Sequence, residues 1–347
     1  MATTVTRPPG PREIALPTPR GPLSERLFNT LLEPPGTPLL RHAGELLVCS
    51  AQPLTDEDVQ LALYVSYELH YSGIRGVDPG WEWDPALLAF RTQLEHPFEA
   101  AVCAAAGRGN GAVDPAQVGA ALQELVAADE GPPLSRWIET RADREQMREF
   151  MTHRSAYQLK EADPHSWAIP RLSGAPKAAL VEIQTDEYGG GDPARVHAVL
   201  FAKATAALGL DATYGAYLER LPAITLATVN LMSLCGLHRR LRGMIVGHLA
   251  AFEMTSSLPN RRYGNALRRL GFDADATDFF DEHVAADAVH ENIAAWDLAG
   301  GLAAAEPHLA PEILTGARAL LALEAQWARH LLGAWERDGS SLRPASP

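Results

Sequence analysis

Cysteine is scarce. The 347 residues hold three, Cys49, Cys103 and Cys235, odd in number and far apart. They can build neither a disulfide framework nor a paired-cysteine metal knuckle, and a reducing cytoplasm is the compartment that suits them. Positive charge is also short, with 30 Lys and Arg against 43 Asp and Glu for a formal net charge of −13. That balance excludes a nucleic-acid groove and an anionic membrane surface as partners, because both need clustered cations. Long apolar runs are missing as well. The most hydrophobic segment, 221–237, is broken by Thr225, Thr228 and Asn230 and followed by Arg239 and Arg240, so it reads as a buried helix rather than a membrane span. The first residues carry prolines and arginines where a signal peptide needs an apolar core, and segment 1–21 reads as a flexible Pro-rich arm.

Several chemistries are absent by motif. There is no Gly-x-Ser-x-Gly elbow, no phosphate-cradling Gly-x4-Gly-Lys-Ser/Thr loop, and no Glu-x-x-His pair of the kind ferritin-like di-iron bundles use twice. Runs of alternating β-branched residues are scarce too. What is present is 46% apolar residues, enough for a sizeable core, spaced at three- and four-residue intervals from Leu54 onward. The fold is expected to be all-α. Asp84-Pro85, Asp114-Pro115, Asp192-Pro193 and Ala310-Pro311 mark helix starts, since a proline at the first helical position loses no hydrogen bond. Thr55 marks another, before a helix over 56–72, and one long helix is expected over 133–162. The DEGPP stretch at 129–133 divides an N-terminal helical region, 22–132, from a C-terminal bundle, 133–338, with a flexible tail at 339–347.

His283, Asp287 and His290 carry the sharpest local signal. At positions i, i+4 and i+7 they fall at about 0°, 40° and −20° on a helix, one narrow face that also bears Phe279, Phe280 and Ile293. Three metal-ligating side chains on an apolar stripe need a charged partner when buried; the alternative is a solvent-facing polar stripe. Glu253 lies on the apolar face of a helix expected over 236–257, whereas His248 points about 140° away and reads as structural. Glu187 ends a helix before Gly189, Gly190 and Gly191, and the break allows His197 in the next helix to face the same centre. Glu182 and Asp186 compete with Glu187 but look like surface acids. Glu161 at the end of the 133–162 helix joins the set only through its company. Glu68 and His70, two residues apart, face opposite sides of a helix and do not read as a metal pair.

Glu161, Glu187, His197, Glu253, His283, Asp287 and His290 are separated by 26, 10, 56, 30, 4 and 3 residues. With the Asp-Glu-Tyr-Gly lead into the glycine break, this set resembles the ligands of the haem-oxygenase-like di-iron oxidases and oxygenases, also called iron-containing redox enzymes. The resemblance covers about 134–338. It implies a haem-oxygenase-like seven-helix bundle, here with an additional N-terminal helical region, often dimeric, with all seven residues as ligands. It further implies two iron ions, O2 as co-substrate through a peroxo-di-iron(III) species, and an external reductant. Three histidines with four carboxylates resemble the members that oxygenate amine nitrogens, so N-oxygenation of a small amine or amino-acid-like substrate by a cytoplasmic homodimer is expected. The alternatives are oxidative C–C cleavage or desaturation of an amino or fatty acid, and a metal-free helical scaffold. Arg261, Arg262 and Tyr263 are candidates for holding a substrate carboxylate, against a plain surface turn at Asn260.

Overall fold

A computed structural model describes residues 13–41, 45, 50–107, 109 and 113–344, with the side chains of 287 and 288 outside the description. Among these residues no strand forms beyond an isolated bridge between Ile14 and Ile74. The N-terminal region holds α1 (Pro22–Leu31), α2 (Glu57–Glu68), α3 (Pro85–Ala106) and α4 (Val118–Ala127). Then follow α5 (Leu134–Thr140), α6 (Arg144–Gln158), α7 (Asp163–Ser166), α8 (Gly174–Glu187), α9 (His197–Ala207) and α10 (Ala223–Leu237). The chain continues through α11 (Arg242–Met254), α12 (Ser257–Arg269), α13 (Ala274–Asn292), α14 (Gly301–Ala305) and α15 (Ala310–Trp335). Between α13 and α14 the helix runs on through a π-helical stretch, Ile293–Gly300. No described helix is long and apolar enough to cross a membrane.

Several boundaries differ from expectation. The helix expected over 133–162 is two, because Asp143 accepts from the Gln146 amide while the Gln146 side chain accepts from the Asp143 amide; this capping box starts α6 afresh. Asp56 rather than Thr55 caps α2, accepting from the Asp58 and Val59 amides, and α2 stops at Glu68. The helix expected over 236–257 begins only at Arg242, since α10 runs to Leu237 and a 3-10 turn intervenes.

The N-terminal helices share the bundle's core. Helix α2 lies on α10 and α3 on α15, and one continuous apolar cluster runs from Ile14 to Trp335. A buried charge pair ties the two regions. Glu68 Oε2 accepts from Lys160 Nζ at 2.9 Å and from the Tyr214 hydroxyl at 2.6 Å. The same ammonium sits 4.2 Å from the Tyr71 ring centre and 4.9 Å from that of Tyr64. Helices α11 and α15 pack backbone to backbone: a Cβ on Gly247 would lie 1.8 Å from the Ile313 carbonyl oxygen, and one on Gly316 would lie 2.0 Å from that of Met244.

The expected arm and tail are packed where described. Ile14 is buried and Arg20 donates to Glu57 at 2.7 Å. Ser341 is buried, its amide and hydroxyl donating to Glu149 Oε2 at 2.9 and 2.6 Å. Residues 1–12 and 345–347 lie outside the described residues.

Candidate metal centre

Each candidate ligand owes its position to a local device. Glu161 sits in a tight turn after α6, where Ala162 takes a left-handed φ of 72° before α7 begins. The reversal sends Lys160 into the tyrosine-lined pocket with Glu68 and Glu161 towards α13. Its conformational cost is offset by the Ala162 carbonyl, which accepts from the His165 and Ser166 amides and from Gln184 Nε2. Glu187 is the last residue of α8. Gly189, Gly190 and Gly191 follow with φ of 80°, 58° and 94°, and a Cβ on Gly189 would lie 2.7 Å from the Val196 amide nitrogen. Only glycine permits both the left-handed backbone and that close return. The return makes His197 the first residue of α9, next to Glu187; Asp192-Pro193, expected to start that helix, lies in the turn before it. Glu253 lies in the last turn of α11, and His283 and His290 lie two turns apart on α13.

Two donor groups result. Glu161, Glu187, His197 and His283 each offer one atom, and these atoms lie within 4.8 Å of one another; so do atoms of Glu187, Glu253 and His290. All six residues are buried, and Glu187 belongs to both groups. His197 Nδ1 is 2.9 Å from Glu187 Oε2, and His283 Nε2 is 3.5 Å from Glu161 Oε1. His290 Nδ1 is 3.6 Å from Glu253 Oε2 and 4.0 Å from Glu187 Oε1. Asp287 lies in α13, but its side chain is outside the described residues.

The surroundings orient these donors. His283 Nδ1 is 2.8 Å from the Phe279 carbonyl oxygen, which can only accept, so Nδ1 carries a proton and Nε2 is the ring atom that faces Glu161. His290 Nε2 is 3.0 Å from Asp186 Oδ2. Asp186, read from sequence as a surface acid, is solvent-facing and also anchors a buried histidine, the carboxylate–imidazole arrangement that steers metal ligands. Glu182 is exposed and takes no part. Burial pushes the Glu161 carboxyl up. Burial also pushes up Glu187, but His197, His283 and His290 together hold it below its ordinary value. Burial lowers His290, yet Glu253, Asp186 and Glu187 bring it to about 9.

Glu161 Oε2 and His197 Nε2 are buried with no hydrogen-bond partner among the described residues. Each such atom costs about 1–3 kcal/mol, a cost that coordination of a cation removes. Imidazole and carboxylate donors without thiolate are the set that suits iron. The residues present therefore fit a metal ion.

Other sequence expectations divide cleanly. His248 is buried on the far side of His165, its Nδ1 3.2 Å from His165 Nε2, and belongs to neither donor group. Glu68 and His70 serve separate partners, Lys160 for one and Glu82 and Arg91 for the other. Beside the donors lies a cavity of about 520 Å³ whose lining includes Glu161 and His283. Arg262 and Tyr263 line it and Arg261 is exposed. Arg154, Gln158 and Glu324, which the sequence reading passed over, line it too. Phe150, Arg154, Gln158 and Glu161 follow at intervals of four, four and three, so a single stripe along and just past α6 carried a usable signal.

No curated protein matches the chain. A family model described as iron-containing redox enzyme matches residues 148–325, just over half of the chain, and that span contains every member of both donor groups. With a buried Glu/His cluster of iron-compatible donors inside the matched span, the chain belongs to the iron-containing redox enzyme family.

Proposed function

We propose that this protein is a non-haem di-iron oxygenase that oxygenates the nitrogen of an amine-containing small molecule. The shared Glu187 carries the reading: two donor groups that meet on one carboxylate are what a pair of ions held by a bridging ligand requires. When bound, two Fe(II) ions supply electrons for O2 activation, and an external reductant restores them. The chain's own residues set the stage. Glu161, His197 and His283 would hold one ion, Glu253 and His290 the other, with Asp287 as a further ligand. Phe279 fixes the His283 tautomer and Asp186 turns the His290 ring. Buried aromatic side chains around the adjoining cavity keep bulk water away from the reacting face. The N-oxygenation reading rests on the third histidine, and a cytoplasmic homodimer is proposed with it.

Anaerobic Fe(II) titration tests the site, with an expected endpoint of two ions per chain. An endpoint of none, for protein expressed with ample iron, would leave a helical scaffold. Mass analysis of products from candidate amines then tests the chemistry: a gain of one or two oxygen atoms supports N-oxygenation, whereas loss of carbon or hydrogen points to oxidative cleavage or desaturation.

A further inference from the structure

The two donor groups have different surroundings. The cavity is lined by Glu161 and His283 of the first group and by no member of the second. The second group comes close to the surface instead. His290 Nε2 lies 3.0 Å from Asp186 Oδ2, and the Asp186 side chain is 58% exposed, so one hydrogen bond separates a metal-binding ring from solvent.

Around that bond the surface is apolar and acidic. Asp186 meets His290, and a Cβ on Gly301 would lie 3.4 Å from Pro176 Cγ, so α8 runs antiparallel to α13 and its π-helical extension. Seven large apolar side chains are exposed among the described residues, and four of them, Val181, Tyr188, Val289 and Trp296, lie on these elements or cap them. Such gathering marks an interface where single exposed residues do not. At 100° per residue the exposed positions of α8 fall at about 0° for Val181, 40° for Thr185, 100° for Glu182 and 140° for Asp186, the last against α13. Glu182 and Asp186 thus form an acidic strip between the apolar side chains of α8 and those of α13.

Positive charge is missing from this surface. Lys177 is the one Lys or Arg in α8, α13 and the π-helical stretch, and Arg195, in the turn before α9, is held by Asp278 and Glu282. Iron does not cancel the strip, because the charge of two Fe(II) ions is offset by the four carboxylates proposed to hold them. A partner's Lys or Arg would lay its methylene stem along Val181 or Val289 and its charge on Glu182 or Asp186. The chain's net charge of −13 steers such a partner in. A second copy fits badly, since on a two-fold axis the strip would meet itself.

From this arrangement we infer that a basic-faced one-electron carrier protein docks over α8 and α13 and delivers the electrons that restore Fe(II). The inference rests on the proposed di-iron reading for the electrons' destination and on the surface alone for docking. In each encounter the carrier loses one electron and, by way of Asp186 and His290, one Fe(III) becomes Fe(II); no bond is made or broken. Two encounters restore the pair. Redox encounters bury little area, which suits a surface of this extent. No residue of the strip lines the cavity, so a docked carrier leaves it open to substrate.

Docking is tested by calorimetry on the whole chain at low salt, with cytochrome c as a basic one-electron carrier and a plant-type ferredoxin as an acidic one. Cytochrome c is expected to bind one to one and more weakly as salt rises, and the ferredoxin not at all. Glu182→Lys, at an exposed site outside both donor groups, should weaken cytochrome c about tenfold. Glu25→Lys on α1, which packs on α2, should weaken it less than twofold. Equal weakening by the two variants would overturn the inference, as would tighter binding of the ferredoxin or self-association that Glu182→Lys abolishes. Electron passage is then read by mixing desalted Fe(II)-loaded protein anaerobically with ferricytochrome c, whose visible band reports the electron it accepts. At dilute protein this transfer should slow about tenfold in Glu182→Lys, and equal rates would overturn the route. A chain that docks cytochrome c but takes up no iron would refute the di-iron reading, and with it the electrons' destination, while the docking surface stands.

Discussion

Replacing Lys160 by methionine should destabilise the protein through Glu68 rather than through lost packing. Methionine fills the same volume between Tyr64, Tyr71 and Tyr214, but Glu68, fully buried, is left with the Tyr214 hydroxyl as partner to Oε2 while Oε1 already has none. Removing one member of a buried ion pair costs about 3–5 kcal/mol. With an unfolding entropy of about 2 cal/mol/K per residue over the chain, the loss corresponds to a Tm fall of about 4–7 °C. Glu68→Gln added to Lys160→Met neutralises the orphan and keeps an acceptor for Tyr214, so the double variant should regain more than half of the fall. Scanning calorimetry of the wild type, both single variants and the double variant completes the cycle. A fall below about 1 °C for Lys160→Met, or additive losses in the double variant, would refute the claim that this pair joins the N-terminal helices to the bundle. Because Lys160 adjoins Glu161, Lys160→Met should also weaken iron retention, which dialysis followed by metal analysis would show.

Glu187→Ala should lower iron uptake from two ions to at most one per chain in the anaerobic titration, since it removes the ligand common to both donor groups; two ions retained would sink the bridging assignment. Gly247→Ala should cost at least the 1–3 kcal/mol typical of overpacking, because its Cβ would meet the Ile313 carbonyl at 1.8 Å, and should displace α11 and hence Glu253. Denaturant unfolding and metal analysis check it, and unchanged values in both would refute the backbone contact. Burial holds His153 well below the ordinary histidine range, with its ring bonded to Thr225 and Ser341. Its folded pKa is therefore depressed: the neutral ring's contribution is complete above about pH 6.5 and is lost below it at up to about 1.4 kcal/mol per pH unit. Tm measured from pH 7 down to pH 5 should fall more steeply for the wild type than for His153→Asn, and parallel curves would count against the assignment.

How far the site could be read from the sequence depends on what holds each residue in place. The face shared by His283 and His290 follows from helical period alone, and the structure buries both. The meeting of Glu187 and His197 was legible because three consecutive glycines can do what no other residues do, adopt left-handed backbone and let the chain pass within a Cβ's reach. Glu161 was identified while its local structure was not. Strong helix formers run through residues 134–158, and only the Asp143-x-x-Gln146 capping box shows where the chain restarts. The all-α class needed nothing more than period and proline placement, while the haem-oxygenase-like bundle came only from the resemblance of the ligand set.

What escaped is non-local. Asp186 is exposed, as an acid at the end of α8 should be, and its bond to His290 exists only because α13 arrives from 104 residues away. Glu68 and Lys160 are 92 residues apart, so no spacing rule pairs them, although a glutamate on the apolar face of α2 is itself a sign that a cation waits in the core. The same reasoning applies to Gln158. Arg154 four residues earlier is satisfied by Glu324, and Gln158 Oε1 is not. That difference, invisible in composition and spacing, is set by where α15 places Glu324, and it separates a polar residue that ties α6 to α15 from one whose oxygen is enclosed without a partner.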